Sequence, residues 1–323
     1  MDNTTNTTNT NVIEANGLSK SYKGVKVLDG VNLQVPRHSI YGFLGPNGAG
    51  KSTTIKLLVG LIQPTAGKVA VFGKDVQTHS NEIRKRIGYM AQEPRFYEYM
   101  TARQILRYTA KFFYVGPKER IEERVEEMLE MVGLTDRADR PVKGFSGGER
   151  QRLGIAQAQI NYPDLIILDE PAAGLDPMGR HDVLKVMEKL RHQTTIFYST
   201  HILEDVQRVS DKVAILNKGR LIAQAPIQEL LGGEGATPVF LLTLKGDLEQ
   251  AHMRLTSQPW FQQVKAARLN GHVNWEVSVT DADAAEDQLQ RLILEDRNLQ
   301  IISFRRKTYN LEEVFLNLVD RSK

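Results

Sequence analysis

The 323-residue sequence contains no cysteine, which excludes disulfide bonds, thiolate-bound metals and a cysteine nucleophile, and suits a reducing compartment. Nor does any apolar run approach the ~18–20 residues that a membrane-crossing helix needs, so a membrane role is expected to be peripheral. A basic stripe is missing as well. The 42 Lys and Arg against 39 Asp and Glu leave a net charge of only +3 spread along the chain, which gives no electrostatic ground for a nucleic-acid partner. There is no heptad run of the kind that marks a long coiled coil. What is present is 41% hydrophobic and 25% charged residues, enough for a sizeable core and for two domains.

The opening MDNTTNTTNT is polar and of low complexity, without the basic start or apolar centre of a signal peptide, and is expected to be a disordered tail over residues 1–10. Asn3 and Asn6 match the Asn-x-Ser/Thr acceptor pattern there by composition alone. From residue 11 to about 230, short apolar runs alternate with helical patterns, which predicts an α/β layer fold. The runs SIYGFL (39–44), LIILDE (165–170), TTIFYS (194–199) and KVAILN (212–217) are the strand candidates. Apolar stretches without alternation fit parallel strands buried on both faces. Residues 101–115 and 118–134 read as two helices, so a mainly helical subdomain of about 93–160 is expected inside the α/β core.

LGGEGATP (231–238) has the composition of a linker, taken as 231–236. Beyond it the rhythm changes. A strand at 238–245, a helix at 248–259, a strand at 262–268, an LNGH turn, a strand at 273–279, a helix at 284–297 and a strand at 300–306 are expected. This βαββαβ order is the ferredoxin-like arrangement, so 237–323 reads as a small α+β accessory domain. A last helix extends it, with Leu311, Val314, Phe315 and Leu318 at helical spacing and Asn310 as a cap.

The chemistry begins at GPNGAGKST (45–53), which fits G-x-x-x-x-G-K-[ST] between a strand and a helix. In this P-loop the glycines of the turn Gly45, Pro46, Asn47, Gly48, Ala49 and Gly50 let backbone N–H groups wrap the phosphates, Lys51 neutralises their oxygens, the Ser52 hydroxyl ligates Mg²⁺ and Thr53 continues the motif. LIILDE ends in two carboxylates: Asp169 is placed to hold Mg²⁺ through water, and Glu170 to orient or deprotonate an attacking water. His201 and Gln92 follow strands whose ends are expected at the same sheet edge. A second glycine-rich turn, FSGGERQRL (145–153), carries Ser146, Gly147 and Gly148 at a helix start, a recipe for holding an anion, yet has no lysine for it.

The set Tyr22, GPNGAGKST, Gln92, FSGGERQRL, LIILDEP, GLDP and STH, spread over roughly residues 11–225, resembles the ATP-binding subunit of an ABC transporter. The resemblance implies that Tyr22 stacks on adenine and that Gln92 touches Mg²⁺ and the attacking water. It also implies that Ser146 and Gly148 hold the γ-phosphate of ATP bound to a second subunit, and that Asp176 of GLDP contacts that subunit. Phe145 stands where Leu is usual, and Glu149 where Gln is usual. The C-terminal extension resembles that of the type-2 export class, and EPRFYEYMTARQIL (93–106) resembles the segment that receives coupling helices of a membrane partner, with Arg95, Phe96 and Tyr97 as contacts. The expectation is an ATPase that uses ATP and Mg²⁺ and dimerises on ATP, with a homodimer as the default. The resemblance implies that it sits at the cytoplasmic face of the membrane and powers export through polytopic permease subunits. The alternative is a non-transport ABC ATPase acting on nucleic acid or the ribosome. Only about ninety residues separating the phosphate loop from SGG, with one set of motifs in the chain, weigh against it.

Overall fold

The computed structural model describes residues 11–232, 238–269, 271–296, 298–307 and 311–321. The expected tail over 1–10, the linker residues 233–236, Asn270 of the LNGH turn and the Asn310 cap lie outside them. The chain divides into two compact units, one formed by the residues up to Ile227 together with those from Phe315 onward, the other by Gln228–Val314.

In the first unit a six-stranded sheet holds β3 (Ile40–Leu44), β6 (Ile87–Met90), β7 (Leu165–Asp169), β8 (Thr195–Thr200), β9 (Lys212–Asn217) and β10 (Arg220–Pro226) in the order β10-β9-β3-β8-β7-β6. All pairs are parallel except β9 with β10. Every residue of β3, β7 and β8 is buried, which is why their sequences lack alternation. Helices α1 (Lys51–Leu58), α6 (Pro177–Leu190) and α7 (Leu203–Val209) follow β3, β7 and β8, so phosphate loop, acidic pair and histidine all emerge where parallel strands end.

A second, antiparallel sheet of β1 (Asn11–Tyr22), β2 (Val25–Pro36), β4 (Ala66–Val71) and β5 (Lys74–Asp75) runs in the order β2-β1-β4-β5. The reading of this region as alternating strands and crossover helices did not anticipate it. Its signal is the period-2 burial of Val31, Leu33 and Val35, interrupted by register shifts along β1 and β2. One hydrophobic cluster joins both sheets: Leu28, Leu33, Tyr41, Phe43, Ile55 and Phe197 are buried in it, with the Phe43 and Phe197 ring centroids 5.3 Å apart.

Between β6 and β7 lie α3 (Ala102–Ala110), α4 (Lys118–Met131) and α5 (Gly147–Gln159). The first two are shorter than their periodicity implies, α3 giving way to irregular turns before Gly116-Pro117 and α4 stopping at Gly133, whose φ is +65°. Helix α5 lies against β6 with almost no spacing. A Cβ at Gly88 would come 2.0 Å from the Ala158 carbonyl oxygen, and one at Gly154 would come 2.7 Å from the Met90 sulfur.

The second unit contains β11 (Val239–Lys245), α9 (Glu249–Thr256), β12 (Phe261–Leu269), β13 (His272–Val279), α10 (Ala282–Leu294) and β14 (Gln300–Arg306). Its antiparallel sheet has the order β12-β13-β11-β14. Phe240, Leu242, Leu244, Trp275, Val277 and Val279 alternate onto one face and are buried with Ala251, Leu255, Ala285, Leu289 and Ile293 of the two helices. The remaining α-helices among the described residues are α2 (Ser80–Arg84), α8 (Ile227–Gly232) and α11 (Leu311–Arg321). The first two residues of the expected linker, Leu231 and Gly232, therefore end α8.

The close seat of α5 on β6 leads to an expected outcome. Gly88→Ala forces a methyl group into backbone, so it should destabilise the chain by about 1–3 kcal/mol and lower the midpoint of denaturant unfolding. An unchanged midpoint would contradict the packing.

Candidate functional site

The loop between β3 and α1 is shaped by glycines. Gly50 caps α1 at φ +110°, a conformation closed to residues with a Cβ, and a Cβ at Gly45 would meet the Leu216 carbonyl oxygen at 2.4 Å. Pro46, Asn47 and Gly48 are exposed along the loop and Ala49 is buried beneath it, with Ser52 and Thr53 in the first turn of α1 half-buried. The start of α1 thus presents its unsatisfied N–H groups outward, the arrangement that binds phosphate.

Lys51 is only 6% exposed. Its ammonium donates to the carbonyls of Gly45 at 2.6 Å and Pro46 at 3.2 Å, and pairs with Glu170 Oε1 at 3.1 Å. Three donors meet three acceptors. Glu170 is equally buried, and its other oxygen, Oε2, lies 2.9 Å from His201 Nδ1. The Ser52 hydroxyl donates to Asp169 Oδ1 at 3.2 Å. Lys51, Ser52, Asp169, Glu170 and His201, five positions spread over 150 residues of sequence, therefore meet at one sheet edge. Burial, and then the Asp169 charge, push the Tyr89 hydroxyl on β6 above its ordinary pKa.

Two features of this network were not read from the sequence. Glu170 has φ +51°, a left-handed conformation that costs a side chain of this kind on the order of 1–3 kcal/mol. Ser199 holds it there. Its hydroxyl donates to Asp169 Oδ1 at 2.6 Å and accepts the Glu170 N–H at 2.9 Å, with Ser199 fully buried. The available signal was its place in STH, two residues before His201 on a buried strand.

The other expected residues lie apart from this network, and among the described residues no hydrogen bond or ion pair links them to it. Gln92 follows β6, its side chain exposed and its carbonyl accepting from Gln151 Nε2 of α5 at 3.1 Å. Tyr22 ends β1, 44% exposed, with the Lys20 ammonium 5.1 Å from its ring centre. Ser146 caps α5, with Gly147 exposed and Gly148 buried behind it. Asp176 caps α6 by accepting the Gly179 N–H at 2.9 Å, and a Cβ at Gly148 would lie 3.2 Å from the Gly179 Cα. The starts of α5 and α6 are therefore neighbours.

A glycine-rich loop opening a helix, a buried lysine in that loop and paired carboxylates at the adjoining strand end define a P-loop nucleoside triphosphatase. The family profile described as ABC transporter matches residues 28–173. The ABC transporter ATP-binding protein YxlF of Bacillus subtilis is 35% identical over 95% of this chain and 99% of its own length. The daunorubicin/doxorubicin resistance ATP-binding protein DrrA of Streptomyces peucetius is 35% identical over 97% of this chain and 94% of its own. Among solved structures, the dimeric ATP-binding cassette MJ0796 bound to ADP and Pi superposes with a TM-score of 0.61 at 25% identity, over 67% of this chain and 98% of that one. The chain belongs to the ABC transporter ATP-binding proteins, ATPases that hydrolyse ATP to drive transport. No helix among the described residues is long and apolar enough to cross a membrane.

Because Ser199 fixes both acids, Ser199→Ala should lower steady-state phosphate release about ten- to a hundredfold, the equivalent of a lost hydrogen bond to a charged group, while the chain stays folded. Full activity in the folded variant would contradict its placement.

Proposed function

We propose that two copies of this chain close face to face on ATP, and that closure and hydrolysis drive export through separate membrane-spanning subunits. The observation that carries the reading is the Lys51–Glu170–His201 network beside Ser52 and Asp169. In it Lys51 grips the phosphates, Glu170 accepts the proton of the attacking water, and His201 orients that carboxylate and the γ-phosphate. Backbone groups of Gly45, Pro46, Asn47, Gly48, Ala49 and Gly50, with Thr53, surround the phosphates, and Tyr22 stacks on the adenine. Ser52 and Asp169 converge as an oxygen-only pair of donors, which fits a hard divalent cation, and Gln92 would complete the set for Mg²⁺. When bound, Mg²⁺ neutralises charge on the phosphate oxygens.

Ser146, Gly147 and Gly148 supply donors to the ATP held by the opposite subunit, and Asp176 borders the same interface. The dimeric cassette among the similar structures supports pairing, and the likeness to DrrA over nearly the whole chain supports export. Tyr97, Met100, Gln104, Arg107, Tyr108 and Lys111 line an open groove of about 640 Å³, with Tyr97 and Tyr99 well exposed. With Arg95 and Phe96 alongside, it is the surface we assign to the permease, on the cytoplasmic face of the membrane. We assign residues 11–230 to the ATPase domain, with its helical subdomain at about 93–160, and 237–323 to the accessory domain beyond the linker 231–236, although α8 runs through Gly232 and the residues from Phe315 onward group with the first compact unit. The β12-β13-β11-β14 order supports the ferredoxin-like reading of that accessory domain.

Glu170→Gln should bind ATP, cease turnover and accumulate an ATP-dependent dimer in gel filtration. A monomer at saturating ATP would sink the closure mechanism. Ser146→Arg should bind ATP as a monomer yet neither dimerise nor turn over, and a dimer from this variant would remove Ser146 from the interface.

A further inference from the structure

We infer that Arg137 is a positioning residue for the phosphate site of the opposite subunit, acting through Glu149. The inference rests on the reading of Ser146 given above. Helix α5 opens with a reciprocal pair of bonds: the Ser146 N–H donates to Glu149 Oε2 at 2.8 Å, and the Glu149 N–H donates to Ser146 Oγ at 3.2 Å. The box orients the serine. With its oxygen occupied as an acceptor, the hydroxyl proton is left to donate to a phosphate.

A glutamine would make the same box through its amide oxygen, so the charge of Glu149 is an addition with its own consequence. A carboxylate suits the first turn of a helix, but within one turn of Ser146 it also repels an approaching triphosphate. Arg137 counters that repulsion. Its Nε lies 3.4 Å from Glu149 Oε1, on the carboxylate oxygen that the Ser146 N–H leaves unused. The arginine is presented by a short 3₁₀ turn, Thr135–Arg137, held by Arg137 N–H to Leu134 carbonyl and Arg140 N–H to Arg137 carbonyl bonds, each 3.0 Å.

Arg140 and Lys143 line the same pocket of about 420 Å³ as Arg137 and Glu149, so two further cations border the cavity that holds this ion pair. The arrangement sets a positive field where the partner's ATP arrives while keeping the serine oriented. Removing Arg137 leaves the repulsive carboxylate exposed to the nucleotide; removing the charge of Glu149 as well restores the balance.

The test uses the full-length chain carrying Glu170→Gln, with the ATP concentration at half-maximal dimer read by light scattering at low and high salt. Arg137→Ala should raise that concentration about three- to tenfold at low salt and less in 0.5 M salt, as expected for interacting surface charges. Arg137→Lys should stay near the parent, and adding Glu149→Gln to Arg137→Ala should bring it back. ATP binding by the monomer should be the same in all of them. An Arg137→Ala protein that dimerises like its parent, or whose defect persists with Glu149→Gln, would overturn the role of Arg137 and leave the dimer reading standing. A Glu170→Gln parent that never dimerises would overturn the dimer reading itself.

Discussion

The buried ion pair between Lys51 and Glu170 ties the two halves of the site together. Neither charge is tolerable alone at 5–6% side-chain exposure, so each stabilises the other's burial, and loss of one strands the second. The pair also sets a competition. In the proposed mechanism a phosphate that takes Lys51 must draw it from Glu170, and a Glu170 released from Lys51 is a better acceptor for a water proton. On that proposal binding and activation are one exchange of partners, with His201 on the other carboxylate oxygen.

The fold supplies the rigidity that this exchange requires. Fully buried parallel strands put the phosphate loop, Asp169–Glu170 and Ser199–His201 on neighbouring ends, with Asp169 in register with Ser199. The strained backbone at Glu170 persists because the Ser199 hydroxyl holds its N–H. The second glycine-rich turn is connected to this edge through α5, which is seated on β6 at Gly88 and bonded to the Gln92 carbonyl through Gln151.

The core of the site was legible because its chemistry demands fixed spacing. Gly45, Gly50, Lys51 and Ser52 must lie in one turn, and Asp169 and Glu170 must end a buried strand, so both left local patterns. The antiparallel sheet was missed because glycine and register shifts break the alternation of β1 and β2, although Val31, Leu33 and Val35 kept it. The Ser146-x-x-Glu149 box is a local capping pattern, but the same serine also fits a phosphate-binding turn, so the spacing alone does not separate the two roles. The Arg137–Glu149 and Lys51–Glu170 pairs span chain separations that carry no local signature; only the folded chain brings them together.

The competition for Lys51 is the central claim, and nucleotide affinity measures it most directly. Titration of ATP into the Glu170→Ala chain, at protein concentrations too low for dimers to form, should give a Kd several-fold tighter than in the parent chain, because the phosphates no longer displace a carboxylate from the lysine. An unchanged or weaker affinity in a folded Glu170→Ala protein would contradict the account.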